Sequence, residues 1–305
     1  MLLVALALLI SIIQLTVAPN ALLQSISSNL NHSSAITKES RIGYVNTPYV
    51  TMPELKTGAL PYASSAKAAI IYDVGSGKTL YEKSPTESIP IASLTKLMTA
   101  LVIMQNHSPN EIVTIPKGLP VLGSADQKIG VVEGEKFKLS ELMQALLVYS
   151  ANDVANSLAV WDSGSIDGFT NKMNGYAKQW GLENSHYTNP TGLDETNHQS
   201  STKDLLSLST ILLHNATFRK IVNTQKTTIH SEAQKPYTLT TTNHDLTVPY
   251  IYGIKTGLTD NAGQCLILLA QKGNHEIITV VLNSPDRFQE SKNMVDYAFS
   301  NYLWK

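Results

Sequence analysis

Apolar and polar positions divide the chain into stretches of different texture. Residues 2–18 (LLVALALLISIIQLTVA) are apolar except for Ser11, Gln14 and Thr16, and residues 19–65 are rich in Ser, Asn, Thr and Pro without a clear period. The first stretch, 1–20, reads as a signal peptide or N-terminal membrane anchor; the second, 21–65, reads as a linker. From Ala66 onward the pattern becomes regular. AAIIYDV and TLYEKS flank Gly75-Ser76-Gly77 and predict a hairpin. After Pro90 the run IASLTKLMTALVIMQ is apolar on nearly every side, the pattern of a helix buried inside a domain. A short strand, EIVTI, and a small hairpin, GVVEGEKF, bending at Gly134, are expected next. Ser140 is expected to cap ELMQALLVY, whose Leu142, Met143, Leu146 and Leu147 share one face. A second helical run, DVANSLAVW, follows at once, so Ser150-Ala151-Asn152 falls in a tight bend between two helices.

Two further helical patterns, about 166–180 and 203–214, are separated by the polar loop NSHYTNPTGLDETNHQS. From 220 the texture turns to strands: QKTTIHS, PYTLTTTN, YIYGIKTGLT, QCLILLAQ and EIITVVLN, with a last amphipathic helix at about 287–302. One hairpin early and three strands late, separated by a helical block, predict an α/β fold of the α+β type. A mainly antiparallel sheet would carry helices on both faces, with an all-helical subdomain, in one domain over 66–305.

Composition narrows the function classes. The 305 residues carry 23 basic and 24 acidic side chains, a net charge of -1, and only 15% charged positions, with no basic cluster to receive nucleic acid. The single cysteine, Cys265, excludes an internal disulfide, and its strand-like apolar neighbours make it a packed core residue. The eight histidines include no His-Glu-x-x-His and no pair at metal-ligand spacing, so neither a metal nor another cofactor is expected.

The candidate chemistry begins with Ser93 and Lys96. A lysine on a buried helix is costly unless paired or neutral, and desolvation pushes it toward the free amine, which can act as a base. Ser93 stands three residues earlier, on the same helix face, where the positive field of a helix N-terminus favours an alkoxide. Serine beside a neutral lysine is a nucleophile with its activator. The spacing alone equally describes an N-cap serine with a snorkelling lysine, and it recurs at Ser64–Lys67 and Ser200–Lys203; the buried setting is what distinguishes Ser93.

Ser150-x-Asn152 and Lys255-Thr256-Gly257 complete a set. Each recurs elsewhere (Ser27, Ser108, Lys56), but their order and context are specific. Ser-x-x-Lys opens a buried helix, Ser-x-Asn lies between two helices 57 residues on, and Lys-Thr-Gly lies on a strand 105 beyond. The lysine and hydroxyl of the last suit a carboxylate, and its glycine suits a close-approaching substrate backbone. With these motifs the chain resembles the penicillin-binding-protein and serine β-lactamase superfamily. Through IASLTKLMTALV, LLVYSANDVANSLA, HYTNPTGLDETNHQSSTKDL, GIKTGLTDNAGQCL and VVLNSPDRFQESKNMVDYAF it resembles the low-molecular-mass D-alanyl-D-alanine carboxypeptidases, peptidase family S11, over about 66–303.

The resemblance implies a β-lactamase/transpeptidase-like fold and an exported enzyme of the cell envelope, at the outer face of the cytoplasmic membrane, in the periplasm or outside the cell. Its partners would be stem peptides ending in D-Ala-D-Ala and β-lactams, and it would release the terminal D-alanine through an acyl-enzyme. It implies Ser93 as nucleophile and Lys96 as its proton acceptor, with Ser150 and Asn152 relaying protons and holding the peptide. Lys255 and Thr256 would meet the carboxylate beside Gly257, and the N–H groups of Ser93 and Leu258 would form the oxyanion hole. Endopeptidase or transpeptidase action, or a sensor that acylates without turnover, are the alternatives. A class A β-lactamase is disfavoured because no Glu-x-x-Leu-Asn run follows Ser-x-Asn, and no Gly-x-Ser-x-Gly elbow occurs. Two departures are visible: Leu258 replaces the aromatic, His or Thr residue often found there, and the arginine that some members place before the strand is missing from TTTNHDLTVPY, which leaves carboxylate binding to Lys255. With the chain ending at Lys305, soon after the closing helix, an anchor is expected from the N-terminal segment.

Overall fold

The computed structural model describes residues 51–305; the expected 1–20 signal or anchor and most of the 21–65 linker lie outside the described residues. The central sheet has five antiparallel strands in the order β3-β2-β10-β9-β8. These are β2 (Ala68–Asp73), β3 (Lys78–Lys83), β8 (Ile251–Thr259), β9 (Gly263–Lys272) and β10 (His275–Ser284). The most continuously apolar runs, AAIIYD, CLILLA and IITVVL, take the three inner places, because an inner strand covered on both faces leaves few positions for a polar side chain. Ile277 pairs with Asp73 and Leu282 with Ala68, so the early hairpin closes on a strand about 200 residues away.

The helices are α1 (Lys96–Asn106), α2 (Leu139–Gln144), α3 (Asn152–Ser163), α4 (Ile166–Gln179), α5 (Thr202–Leu213), α6 (Ala216–Val222) and α7 (Arg287–Asn301). Alternation along the strands separates two cores. Ala69, Ile71, Ile277 and Val281 pack on Met294 and Ala298 of α7, whereas Ile70, Ile278 and Val280 face the larger core that contains α1 and α5. Every residue of α1 from Lys96 to Ile103 is buried, as the all-round apolar pattern predicts.

Several details depart from the sequence pattern. The GVVEGEKF hairpin does not form on itself: β5 (Lys136–Lys138) pairs instead with β4 (Ile112–Thr114), and Gly134 only supplies a positive-φ turn residue between them. Ser140 lies inside α2 rather than capping it, and the helix loosens into a π-turn at Ala145–Tyr149 before Ser150. Within the stretch read as linker, β1 (Pro53–Leu55) pairs with β11 (Tyr302–Trp304), a strand that begins where the expected closing helix ends. Both strands have only three residues, too few to show a period. A last two-stranded ribbon joins β6 (Lys226–His230) to β7 (Pro236–Thr240). No helix among the described residues is long and apolar enough to cross a membrane.

Candidate active site

Ser93 sits in a 3-10 turn, Ala92–Thr95, that runs directly into α1. The turn is held in an unusual shape. Ala92 has φ +49, a left-handed conformation that costs a side-chain-bearing residue roughly 1–2 kcal/mol, and two glycines make room for it. A Cβ on Gly192 would lie 1.9 Å from Ala92 O; one on Gly257 would lie 2.9 Å from Ile91 O and 3.0 Å from Ala92 Cβ. The backbone that approaches Gly257 closely is therefore the protein's own Ile91–Ser93 turn, where the sequence suggested a substrate.

Lys96 is fully buried, and its Nζ has three partners: Ser93 Oγ at 2.9 Å, Asn152 Oδ1 at 2.6 Å and Thr191 O at 2.7 Å. Burial, and secondly the charge of nearby Lys255, push this ammonium well below its ordinary 10.5, against opposing pulls from Asp153 and Asp126. In the neutral amine two N–H donors satisfy the two carbonyl-type oxygens, and the lone pair is left for the Ser93 hydroxyl. Of the three partners only the Ser93 hydroxyl has a proton that a neutral amine could accept.

The bend after α2 places the second motif. Following the π-turn, Ser150 adopts φ 69 and ψ 35, the left-handed region, and α3 starts at Asn152. Ser150 Oγ accepts a hydrogen bond from Lys255 Nζ at 2.8 Å, while Asn152 turns to Lys96. Lys255, 1% exposed, also donates to Thr256 O at 3.1 Å. Burial first, and then the Arg287 charge, bring it down to about 7. The three motifs are therefore joined by direct hydrogen bonds, from Lys96 to Asn152 between the first and second and from Lys255 to Ser150 between the second and third.

Above the two buried lysines lies a cleft of ≈ 280 Å³ lined by Ser93, Ser150, Asn152, Thr256, Gly257 and Leu258, so every candidate site residue read from the sequence either lines this cleft or lies directly beneath it. Leu258 is 61% exposed at the rim. Cys265, buried with its thiol pushed up to about 11 by desolvation, pairs across the sheet with Gly257 but does not line the cleft, its sulfur directed at Ala262 O.

Several lining residues escaped the sequence reading. Arg287, at the start of α7, reaches the cleft and donates from Nη1 to Gly257 O at 2.6 Å, while its buried Nε has no partner among the described residues. A cation thus enters this end of the cleft from α7 rather than from TTTNHDLTVPY, and Lys255 is not alone there. Thr242 bonds Thr256 through their hydroxyls. The loop 188–199 provides Thr191 O and Gly192. Asn189 Oδ1 gathers Thr191 N, Gly192 N and the Thr191 hydroxyl, and Thr99 of α1 donates to Pro190 O. Asn-Pro-Thr-Gly is a turn signal in the sequence, but nothing in it says which carbonyl faces a lysine. Among the described residues no cluster of His, Cys, Asp or Glu is arranged to hold a metal.

A family model described as D-alanyl-D-alanine carboxypeptidase, peptidase S11, matches residues 55–286. The chain is 34% identical over 247 residues to the D-alanyl-D-alanine carboxypeptidase DacF of Bacillus subtilis, covering 79% of this chain and 64% of that protein. It is 30% identical over 250 residues to a D-alanyl-D-alanine endopeptidase of Pseudomonas aeruginosa, covering 79% and 78%. The chain thus spans less than two thirds of the length of DacF, and 61% of DacC of Escherichia coli. Among solved structures it resembles the Streptomyces K15 DD-transpeptidase, with a TM-score of 0.74 at 26% identity over 79% of this chain and 99% of that one. It also resembles the ampicillin-bound penicillin-binding protein D2 of Listeria monocytogenes, with a TM-score of 0.68 at 29% identity over 79% and 100%.

Proposed function

Because the chain belongs to the D-alanyl-D-alanine carboxypeptidase family, peptidase S11, we propose that it is a serine D-alanyl-D-alanine carboxypeptidase of the bacterial cell envelope. Its substrate is a peptidoglycan stem peptide ending in D-Ala-D-Ala, and β-lactams acylate it. The observation that carries this reading is the fully buried Lys96, whose Nζ lies 2.9 Å from Ser93 Oγ and is otherwise surrounded by two carbonyl oxygens that can only accept, those of Asn152 and Thr191.

Neutral Lys96 takes the Ser93 proton as Oγ attacks the penultimate D-alanine carbonyl. The tetrahedral oxyanion is met by the N–H groups of Ser93 and Leu258, donors worth most in a water-poor site. The C–N bond then breaks, D-alanine departs with a proton delivered through Ser150, and an ester on Ser93 remains. Water cleaves this ester and returns the proton to Ser93. Asn152 holds the peptide, while Lys255, Thr256 and Arg287 receive the terminal carboxylate, or the carboxylate of a β-lactam, through charge-assisted hydrogen bonds. The N-terminal 20 residues hold the enzyme at the outer face of the membrane; deleting them and finding the protein still in the membrane fraction would contradict this.

The test is mass spectrometry of the purified full chain after penicillin, together with D-alanine release from a Lys-D-Ala-D-Ala peptide. A penicilloyl adduct on Ser93 with steady release is expected. An adduct without release would redirect the reading to endopeptidase or transpeptidase action, or to a sensor; no adduct on Ser93 would end it.

A further inference from the structure

A buried histidine outside all three motifs is tied to the back of the nucleophile turn. His198, 3% exposed, sits in the loop 188–199, and its ring is used at both nitrogens. Nδ1 accepts the backbone N–H of Thr188 at 3.1 Å, and Nε2 lies 2.6 Å from Thr95 Oγ1. A backbone N–H can only donate, so Nδ1 carries a lone pair and Nε2 carries the hydrogen. The Thr95 hydroxyl has one proton, which goes to Ala92 O at 2.8 Å, because a carbonyl can only accept. Every donor in the chain is thereby determined: Thr188 N–H to His198, His198 Nε2–H to Thr95, Thr95 O–H to Ala92 O.

Ala92 O and Ser93 N–H belong to one planar peptide unit, so whatever holds the carbonyl aims the N–H on the opposite edge. Chains of hydrogen bonds also polarise one another, and a carbonyl that accepts makes its own N–H a better donor. We propose that His198 and Thr95 are positioning residues that orient and polarise the Ala92–Ser93 peptide, so that Ser93 N–H is held ready for the oxyanion. The inference rests on the reading of Ser93 as the acylated nucleophile. Gly192 packs directly against this contact: a Cβ there would lie 1.9 Å from Ala92 O and 2.8 Å from Thr95 Oγ1, so no side chain fits beside the pair.

The test uses the full chain and follows penicillin acylation, separating the acylation rate constant from the dissociation constant of the preceding complex. Thr95→Val and His198→Leu should each lower the rate constant on the order of 10–100-fold, somewhat less than outright loss of an oxyanion donor, and leave the dissociation constant within about 3-fold. Thr95→Ser, which keeps the hydroxyl, and His198→Gln, which keeps a donor at the Nε2 position, should recover most of the rate. The double variant should be no slower than Thr95→Val alone, because both changes interrupt one chain. A merely structural role would instead give losses that multiply and no difference between Leu and Gln at 198. If His198→Leu does not fold, the Thr95→Val and Thr95→Ser pair decides: equal rates overturn the proposal. Wild-type protein that is acylated normally, alongside equally fast variants, would sink the relay alone. Wild-type protein never acylated on Ser93 would remove the reading beneath it as well.

Discussion

Each wall of the cleft buries a lysine, and the two are surrounded differently. On the helical wall Lys96 is enclosed by neutral oxygens, those of Ser93, Asn152 and Thr191, and its partners are themselves held by other hydrogen bonds. On the strand wall Lys255 has a hydroxyl and its neighbour's carbonyl, with the Arg287 guanidinium nearby. Both ammonium groups are depressed by burial, but the helical wall is built to leave a lone pair and the strand wall to gather positive charge. Under the proposed function the site must both remove a proton and receive an anion, and giving one amine only neutral acceptors and the other a second cation would separate those tasks.

The sharpest break would be Lys96→Arg. A guanidinium remains charged at any usable pH and has no lone pair, so acylation should fall by roughly 10²–10⁴, the range for a positioned base, while circular dichroism stays native. Normal acylation by this variant would dismantle the distinction between the walls.

Acid should weaken the helical wall in particular. Burial lowers His198 from an ordinary 6.5 to about 4. Between those values the unfolded chain binds the proton that the folded chain refuses, so stability is full above about 6.5 and is lost as pH falls toward 4. At 1.36 kcal/mol per pKa unit the full difference is roughly 3 kcal/mol. Urea midpoints at pH 7 and pH 4 should differ less in His198→Gln than in the wild type; equal differences would show that His198 does not carry this dependence.

On the strand wall, Arg287→Gln should lower kcat/KM for a peptide ending in a free carboxylate by about 10–100-fold, the worth of a charged hydrogen bond. The corresponding C-terminal amide should be little affected. Lys255 is a cation below about 7 and loses its charge as pH rises through that value. Removing the Arg287 repulsion should therefore move the alkaline limb of kcat/KM upward; a downward shift would reverse the assigned coupling.

The smallest expected effect concerns the tie between the walls. Asp194 of the loop 188–199 accepts hydrogen bonds from Thr259 Oγ1 at 2.7 Å and Asn261 N at 3.0 Å, joining that loop to the β8–β9 turn. Asp194→Ala should slow acylation about 5-fold, consistent with roughly 1 kcal/mol for partial loss of positioning. An unchanged rate would mean that the walls hold their spacing without it.

The sheet was largely legible because its inner strands bury both faces, and the sequence must write that as uninterrupted apolar runs. The buried helix was legible for the same reason, with Lys96 conspicuous as its only charge between Ile91 and Gln105. The β4–β5 pairing was misplaced because Gly134 does make a turn, but turn chemistry does not name the partner strand. Arg287 was missed because its contact with Gly257 spans 30 residues and no periodicity reports such a meeting. His198 was one histidine in a polar loop until Thr95 and Thr188 were brought to its two nitrogens.

By itself the sequence determined the runs that form the sheet, the helix that buries Lys96, and the order of Ser93, Ser150 and Lys255 along the chain. Residue type and local period specify these, since burial and backbone propensity act over a few neighbours. Only the tertiary structure decided which oxygens surround Lys96, where a second cation enters the strand wall, and which side chain grips the carbonyl behind Ser93. Those contacts join segments up to 103 residues apart, and their meeting is set by packing the whole domain rather than by any local stretch.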